Sequence, residues 1–105
     1  MSDITIQDLK EKLLVSNWPK CNELASEIGA YNNNEAMLAL IEALNSGSKH
    51  HIRTAAIKAL TVYNAPEVIE SLKKRLDDSA YEPRVEAKKA LKELTGVEYK
   101  TSRGE

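Results

Sequence analysis

The chain has 105 residues and a formal net charge of −1. This length fits one domain of ordinary size, and the near-neutral charge excludes a molecule that attracts nucleic acid by overall charge alone. With 42% hydrophobic and 30% charged residues, the composition is typical of a globular chain and not of a disordered one. Phe is absent and helix-forming residues dominate, so the composition favours an all-α fold.

The charge is unevenly divided, because residues 1–45 carry a net −4 and residues 46–105 a net +3. Cys21 is the only cysteine, which excludes an intrachain disulfide and favours a reducing compartment. The first residues include acidic side chains and no long apolar run, so no signal peptide is expected. No stretch approaches the roughly 20 apolar residues that span a bilayer. We therefore expect a cytoplasmic protein.

The first two helices are marked by caps and by a proline. Thr5 and Asp8 have the spacing of a capping box, and the residues after them carry apolar side chains on one helical face. Pro19 suits the first position of a second helix. That helix is predicted to run to Ile28 and to end at Gly29 in a left-handed cap.

The third and fourth helices follow a turn. Asn34 is a good N-cap for the third helix, which is apolar over more than half of its circumference and therefore belongs in the middle of a stack. Ser46–Ser48 is predicted to close it, and the fourth helix is predicted at roughly 49–62.

The fifth helix is predicted from Pro66, and the sixth from Pro83 to a stop at Gly96. Residues 97–105 show no periodicity. The prediction is a single repeat domain over residues 1–96 followed by a flexible tail over 97–105.

An internal repeat organises the second half of the chain. RTAAIKAL at Arg53–Leu60 returns 31 residues later as RVEAKKAL at Arg84–Leu91. Such a period indicates helical units that bury their apolar faces against one another. Small residues such as Ala59 and Ala90 allow the paired helices to approach closely.

These residues resemble the HEAT repeat, and most closely the short bacterial HEAT-like variety named for phycobilin lyases. The resemblance covers residues 34–96 well and 5–33 loosely. It implies a short right-handed α-solenoid of about three helical hairpins, that is, six helices. It also implies that the second helix of each hairpin lines a concave surface where partners bind.

A basic ridge on the sixth helix is the main candidate for a binding surface. Arg84, Lys88 and Lys92 recur at a spacing that places them on one side of the helix. With their equivalents on the fourth helix, the predicted partner-binding residues are Arg53, Ile57, Thr61, Arg84, Lys88 and Lys92. A structural interpretation stays open in which the lysines only solvate a helix and the arginines form ion pairs. The candidate pairs are Arg53 with Glu42 or Glu86, and Arg84 with Asp77 or Asp78.

The functional hypothesis is a non-catalytic module, an adaptor or a stoichiometric inhibitor, that binds another protein on its concave surface. This surface is expected to be basic at its C-terminal end, where a partner with an acidic surface would fit. The alternative is nucleic-acid binding through the same ridge, which offers fewer cations than the six to ten contacts usual for firm DNA binding. A role with bilins is suggested only by the resemblance. A monomer is favoured, and no cofactor or catalytic residue is predicted.

Three further residue groups receive structural interpretations. His50 and His51 are adjacent on a helix and point about 100° apart, with no third ligand at ligand spacing, so no metal site is predicted. Cys21 is interpreted as a small core residue. Trp18 is interpreted as a packing residue at a hairpin corner, with an exposed binding anchor as the alternative.

Overall fold

Six α-helices in three helical hairpins make up the part of the chain that the structure describes. A computed structural model describes residues 5–46 and 49–105, and within this part of the chain there is no β-strand. The helices are α1 (Ile6–Leu14), α2 (Lys20–Ala30), α3 (Asn34–Ser46), α4 (His50–Leu60), α5 (Pro66–Arg75) and α6 (Tyr81–Thr95).

The hairpins stack side by side in two layers. The first helices, α1, α3 and α5, form one layer, and the second helices, α2, α4 and α6, form the other. Each helix also packs against its partner in the same hairpin, and the stack extends over 49 × 25 × 18 Å. The two octapeptides lie on α4 and α6, which belong to successive repeats and are in contact. The predicted all-α solenoid is confirmed.

The core is centred on α4, which packs against α2, α3 and α6. Ile52, Ile57 and Leu60 of α4 are fully buried, as are Leu40 and Leu44 of α3. Each such aliphatic side chain contributes about 1.5–3 kcal/mol relative to an exposed one. The middle hairpin is therefore the part of the chain on which the other two depend.

Two helix caps follow the predicted chemistry. The Thr5 hydroxyl accepts a hydrogen bond from the Asp8 N–H, and the Asp8 carboxylate accepts one from the Thr5 N–H, both at 3.1 Å. Gly96 ends α6 with a φ of 75°, and its N–H donates to the Lys92 carbonyl at 2.8 Å. The capping box and the stop of α6 at Gly96 are confirmed.

The predicted stop of α2 at Gly29 is wrong. Gly29 is a helical residue, α2 continues to Ala30, and Asn32 takes the positive φ of 49°. A Cβ on Gly29 would lie 3.4 Å from the Ala59 carbonyl oxygen and 3.6 Å from its Cβ. These are ordinary van der Waals distances, so a methyl group would fit here, and the glycine lies in the close packing of α2 on α4 and not in a left-handed cap.

Some boundaries differ from the sequence prediction. α6 begins at Tyr81, two residues before Pro83, and α4 ends at Leu60. The turn predicted at Ser46–Ser48 falls partly outside the described residues. Leu38, on the apolar α3, is 49% exposed, so α3 is less completely enclosed than expected.

Candidate functional site

The arginine of the middle repeat forms a buried ion pair with the last repeat. Arg53 Nε and Nη2 donate to the two carboxylate oxygens of Asp78 at 2.8 and 2.9 Å. Asp78 lies between α5 and α6, and its side chain is only 1% exposed. Arg75 and the Ala80 N–H also donate to this carboxylate, at 3.1 and 2.9 Å. The structural interpretation of Arg53 is supported, although its partner is neither Glu42 nor Glu86.

The arginine of the last repeat binds a different acid. Arg84 Nε and Nη2 donate to the carboxylate of Glu105 at 3.0 and 3.3 Å, and Nη1 donates to the Asp78 carbonyl at 3.0 Å. The Arg84 side chain is 5% exposed. The predicted partner Asp78 thus contributes its backbone, and Glu105 supplies the charge. A guanidinium at the same repeat position thus binds a carboxylate in both the second and the third repeat.

Residues 97–105 make more contacts than the tail that the sequence predicted. Thr101 is 5% exposed, the Ser102 N–H donates to the Leu76 carbonyl at 3.0 Å, and the Thr101 hydroxyl donates to Glu105 at 2.6 Å. The backbone carbonyl of Glu105 accepts from Lys88 Nζ at 2.9 Å. The segment therefore packs against the last repeat. The flexibility of residues 97–105 stays a prediction.

Ile57 is a correction to the predicted binding surface. Its side chain is 0% exposed and packs in the core, since α6 covers this side of α4. Lys88 is the equivalent residue on α6, where no further helical layer lies in the described part of the chain. The position therefore faces along the stack and not into the concave side. Ile57 cannot contact a partner in this fold.

The other predicted binding residues fall into two groups, one in the third repeat and one in the second. Arg84, Lys88 and Lys92, here called the end surface, lie on the side of α6 that faces away from α4. Lys92 is exposed and its Nζ binds the Glu98 carboxylate at 2.8 Å. Arg53 and Thr61 lie in the preceding repeat, and the Thr61 hydroxyl donates to the Lys58 carbonyl at 2.8 Å. The structure thus places the three basic residues of α6 together and separates them from Arg53, Ile57 and Thr61.

The electrostatics of the end surface match a carboxylate site. The Arg84 guanidinium, followed by the Thr101 hydroxyl, holds the pKa of Glu105 below its ordinary value. The hydrogen bonds that Arg84 donates to the Glu105 carboxylate in turn raise the pKa of Arg84. The Lys92 ammonium likewise lowers the pKa of Glu98. Each cation of this surface thus contacts an acidic residue of the same chain.

A second surface feature is a groove between α2 and α4 on the layer of second helices. The groove is open because Gly29, Ala55 and Ala59 have little or no side chain to fill it, while Val62, 62% exposed, lies at its edge. The groove residues are Asn22, Ser26, Gly29, Ala30, Ala55, Lys58, Ala59 and Val62. Apart from Lys58 they carry no charge, and the groove lies away from the C-terminal end, where the basic surface was predicted.

The histidine pair meets an acidic residue that the sequence prediction missed. Nδ1 of His50 lies 3.2 Å, and Nδ1 of His51 3.7 Å, from Oε1 of Glu82. Glu82 follows His51 by the 31-residue period, so the two positions are equivalent on adjacent second helices. The repeat offset was the signal that identifies this neighbour. The expectation that the histidines have no third ligand within reach is therefore wrong.

The remaining singular residues have structural surroundings. Cys21 is 0% exposed, burial raises the pKa of its thiol, and its Sγ donates to the His51 carbonyl at 3.6 Å. Its core role is confirmed. Trp18 is 62% exposed, and its ring centroid lies 6.5 Å from that of His51. The indole thus stands largely in solvent beside α4.

No helix of residues 5–46 and 49–105 has the length and apolar content needed to cross a membrane.

The chain has two layers of helices, a 31-residue period and an arginine–carboxylate pair between successive repeats. These features define an α-solenoid repeat protein. A family model described as HEAT repeats matches residues 8–92, so the chain belongs to the HEAT-repeat family. The match extends over the first hairpin, which the sequence resemblance covered only loosely. It describes HEAT repeats as such, and the finer likeness to the phycobilin-lyase variety stays a prediction. Neither the curated proteins nor the solved structures gave a match.

Proposed function

We propose that this HEAT-repeat protein is a non-catalytic adaptor or inhibitor that binds an acidic segment of another protein on its end surface. HEAT repeats are commonly scaffolds for protein interaction, which supports this class of function. The observation that carries the proposal is the carboxylate of Glu105 on Arg84, with its carbonyl on Lys88.

The second and third repeats use their equivalent arginines in the same way, and this supports the proposal. Arg53 binds Asp78 from the loop of the following repeat, and Arg84 binds Glu105 from the segment after the last helix. The same repeat position therefore accepts a carboxylate from whatever element lies beyond it. A partner that presents an acidic turn supplies the same group, and it takes the place of Glu105.

The exposed groups around this position suit a protein partner. Tyr81 is 63% and Val97 49% exposed, and the Arg84 guanidinium lies 5.9 Å from the centroid of the Tyr81 ring. An aromatic ring and an aliphatic side chain beside charged groups are typical of the anchors of protein interfaces. Lys92, exposed with its partner Glu98, adds a cation at the rim, where charge steers association more than it adds affinity.

The test compares charge reversal at the end surface with charge reversal elsewhere. The double variant Lys88→Glu and Lys92→Glu is compared with Lys12→Glu and Lys74→Glu, which makes the same charge change on α1 and α5. Proteins captured from native extract are quantified by mass spectrometry. We expect a partner that is retained by the wild type and by the control pair and lost by the end-surface pair.

A third variant, Glu105→Gln, addresses the competition directly. Weakening the hold of Glu105 on Arg84 should increase capture of the same partner, because less of the surface is occupied by the chain itself. Equal capture by the wild type and the end-surface pair would refute the proposal. Salt-sensitive retardation of DNA by the wild type, lost in that pair, would instead assign the surface to nucleic acid.

A further inference from the structure

His50, His51 and Glu82 form a cluster of metal-ligating groups outside the end surface. His50 and His51 open α4, and Glu82 lies in the first turn of α6. One ligand atom from each residue lies within 4.8 Å of the other two. The cluster arises from the stacking of repeats, because α4 and α6 pack side by side with their first turns at the same level.

The distances within the cluster match those between ligands of one ion. With bonds of about 2.0–2.1 Å, two ligands of a tetrahedral zinc ion lie roughly 3.3 Å apart. The observed separations from Glu82 Oε1 are 3.2 Å to His50 Nδ1 and 3.7 Å to His51 Nδ1. Both values agree with an edge of such a tetrahedron after shifts of a few tenths of an ångström. The ring centroids of the two imidazoles lie 3.9 Å apart with the planes tilted by 44°, and both Nδ1 atoms lie beside the same Glu82 oxygen.

One ligand atom is also left without a hydrogen bond. Nδ1 of His50 is shielded from solvent and has no hydrogen-bond partner, although Glu82 lies at 3.2 Å. A shielded nitrogen that makes no hydrogen bond is costly unless another group uses its lone pair. A metal ion between the three side chains supplies that group.

We propose that His50, His51 and Glu82 bind a divalent transition-metal ion of the zinc and copper class. Two imidazole nitrogens and one carboxylate oxygen suit zinc, copper and nickel, whereas magnesium and calcium prefer shells made of oxygen. Each histidine binds through Nδ1 with its proton on Nε2, and Glu82 binds as the carboxylate. The half-exposed side chains leave the remaining coordination position open to water or to a group from a partner.

Neighbouring groups do not compete for the position. The ammonium of Lys49, next in the chain, binds the Ser16 carbonyl and the Asn17 side chain. Cys21 directs its thiol to the His51 carbonyl and lies in the core. The site thus takes its ligands from two helices, and an ion bound there links the second repeat to the third.

Trp18 provides a built-in reporter for the test. It is the only tryptophan of the chain, and its ring centroid lies 6.5 Å from that of His51. Cu²⁺ bound at the cluster should quench its fluorescence, and Zn²⁺ should compete with that quenching. Isothermal titration with Zn²⁺ gives the stoichiometry and the dissociation constant, and thermal unfolding with and without Zn²⁺ reports binding to the folded state.

The deciding variant is Glu82→Gln, with Glu86→Gln, one turn further along α6, as its matched control. We expect one Zn²⁺ per wild-type chain, a rise in melting temperature with Zn²⁺, and affinity lowered by about tenfold or more in Glu82→Gln and His50→Gln, since each removes a ligand. Glu86→Gln and Cys21→Ala should bind as the wild type does. Circular dichroism without metal verifies that each variant is folded.

Three results would overturn the proposal. One is the absence of Zn²⁺ binding by the folded wild type. Another is equal affinity in Glu82→Gln, which would mean that the histidine pair alone attracts metal. The third is loss of binding in Cys21→Ala with its fold intact, which would assign the ion to the thiol.

Discussion

The ion pair between the second and third repeats gives a prediction about the stability of the fold. The side chain of Asp78 is 1% exposed and that of Arg53 is 12% exposed. In Asp78→Asn the negative charge disappears while the guanidinium of Arg53 remains buried. Removing one partner of a buried pair costs about 3–5 kcal/mol, because the other charge is left without compensation. The asparagine keeps one acceptor oxygen, so the hydrogen bond to the Ala80 N–H can survive.

The measurement is urea unfolding followed by circular dichroism. We expect the free energy of unfolding of Asp78→Asn to fall by about 3–5 kcal/mol, a large part of the roughly 5–15 kcal/mol of a domain of this kind. The melting temperature should fall by roughly 15–30 °C. Asp77→Asn, exposed and adjacent, is the control, with a change of at most about 0.5 kcal/mol. A loss below about 1 kcal/mol in Asp78→Asn, the size expected for a surface pair, would refute the reasoning.

The same pair predicts a dependence on pH. Burial raises the pKa of Asp78, but the hydrogen bonds from Arg53 and the Ala80 N–H, together with the charges of Arg53 and Arg75, lower it further, so the pKa is below its ordinary value. A carboxyl with a lower pKa in the folded state contributes fully above its unfolded pKa and loses that contribution as the pH falls through the folded one. Wild-type stability should therefore decline below about pH 4, and Asp78→Asn should decline less steeply. Parallel slopes for the two proteins between about pH 4 and pH 2 would contradict this.

Three further substitutions test packing and caps by urea unfolding. Ala59→Leu should cost about 1–3 kcal/mol because α2 approaches this residue at Gly29, whereas Ala30→Leu on the exposed side should cost little; equal effects would mean that the helices are not closely packed here. Thr5→Ala should lose about 1 kcal/mol with the capping box, and an unchanged midpoint would show that the cap adds nothing. Gly96→Ala should lose about 1–2 kcal/mol, since φ is 75° there, and a gain in stability would contradict the strained conformation.

The fold was predictable because its signals are local and repeated. The octapeptides at Arg53–Leu60 and Arg84–Leu91 each mark a helix, and their common period implies that the helices stack. The caps at Thr5 and Gly96 also depend only on neighbouring residues. Gly29 was misjudged because glycine is a common helix cap, whereas here Gly29 is helical and Asn32, beyond the end of α2, takes the left-handed conformation.

The site was less predictable because burial depends on what lies beyond a helix. Ile57 and Lys88 occupy the same repeat position, yet one is covered by a further helix and the other is only half-buried. The pairing of Arg84 with Glu105 involves a segment without periodicity, so no pattern indicated it. Glu82 could have been identified from the repeat, because it occupies the position equivalent to His51. Equivalent positions on stacked helices are neighbours.

The buried thiol at the start of α2 has a practical consequence for following motions of the protein. Cys21 is fully enclosed, and its raised pKa keeps it as the unreactive thiol. An alkylating reagent can therefore react only after α2 separates from α4. With one such group in the chain, the labelling rate at increasing urea reports how often the first repeat detaches, without any added probe.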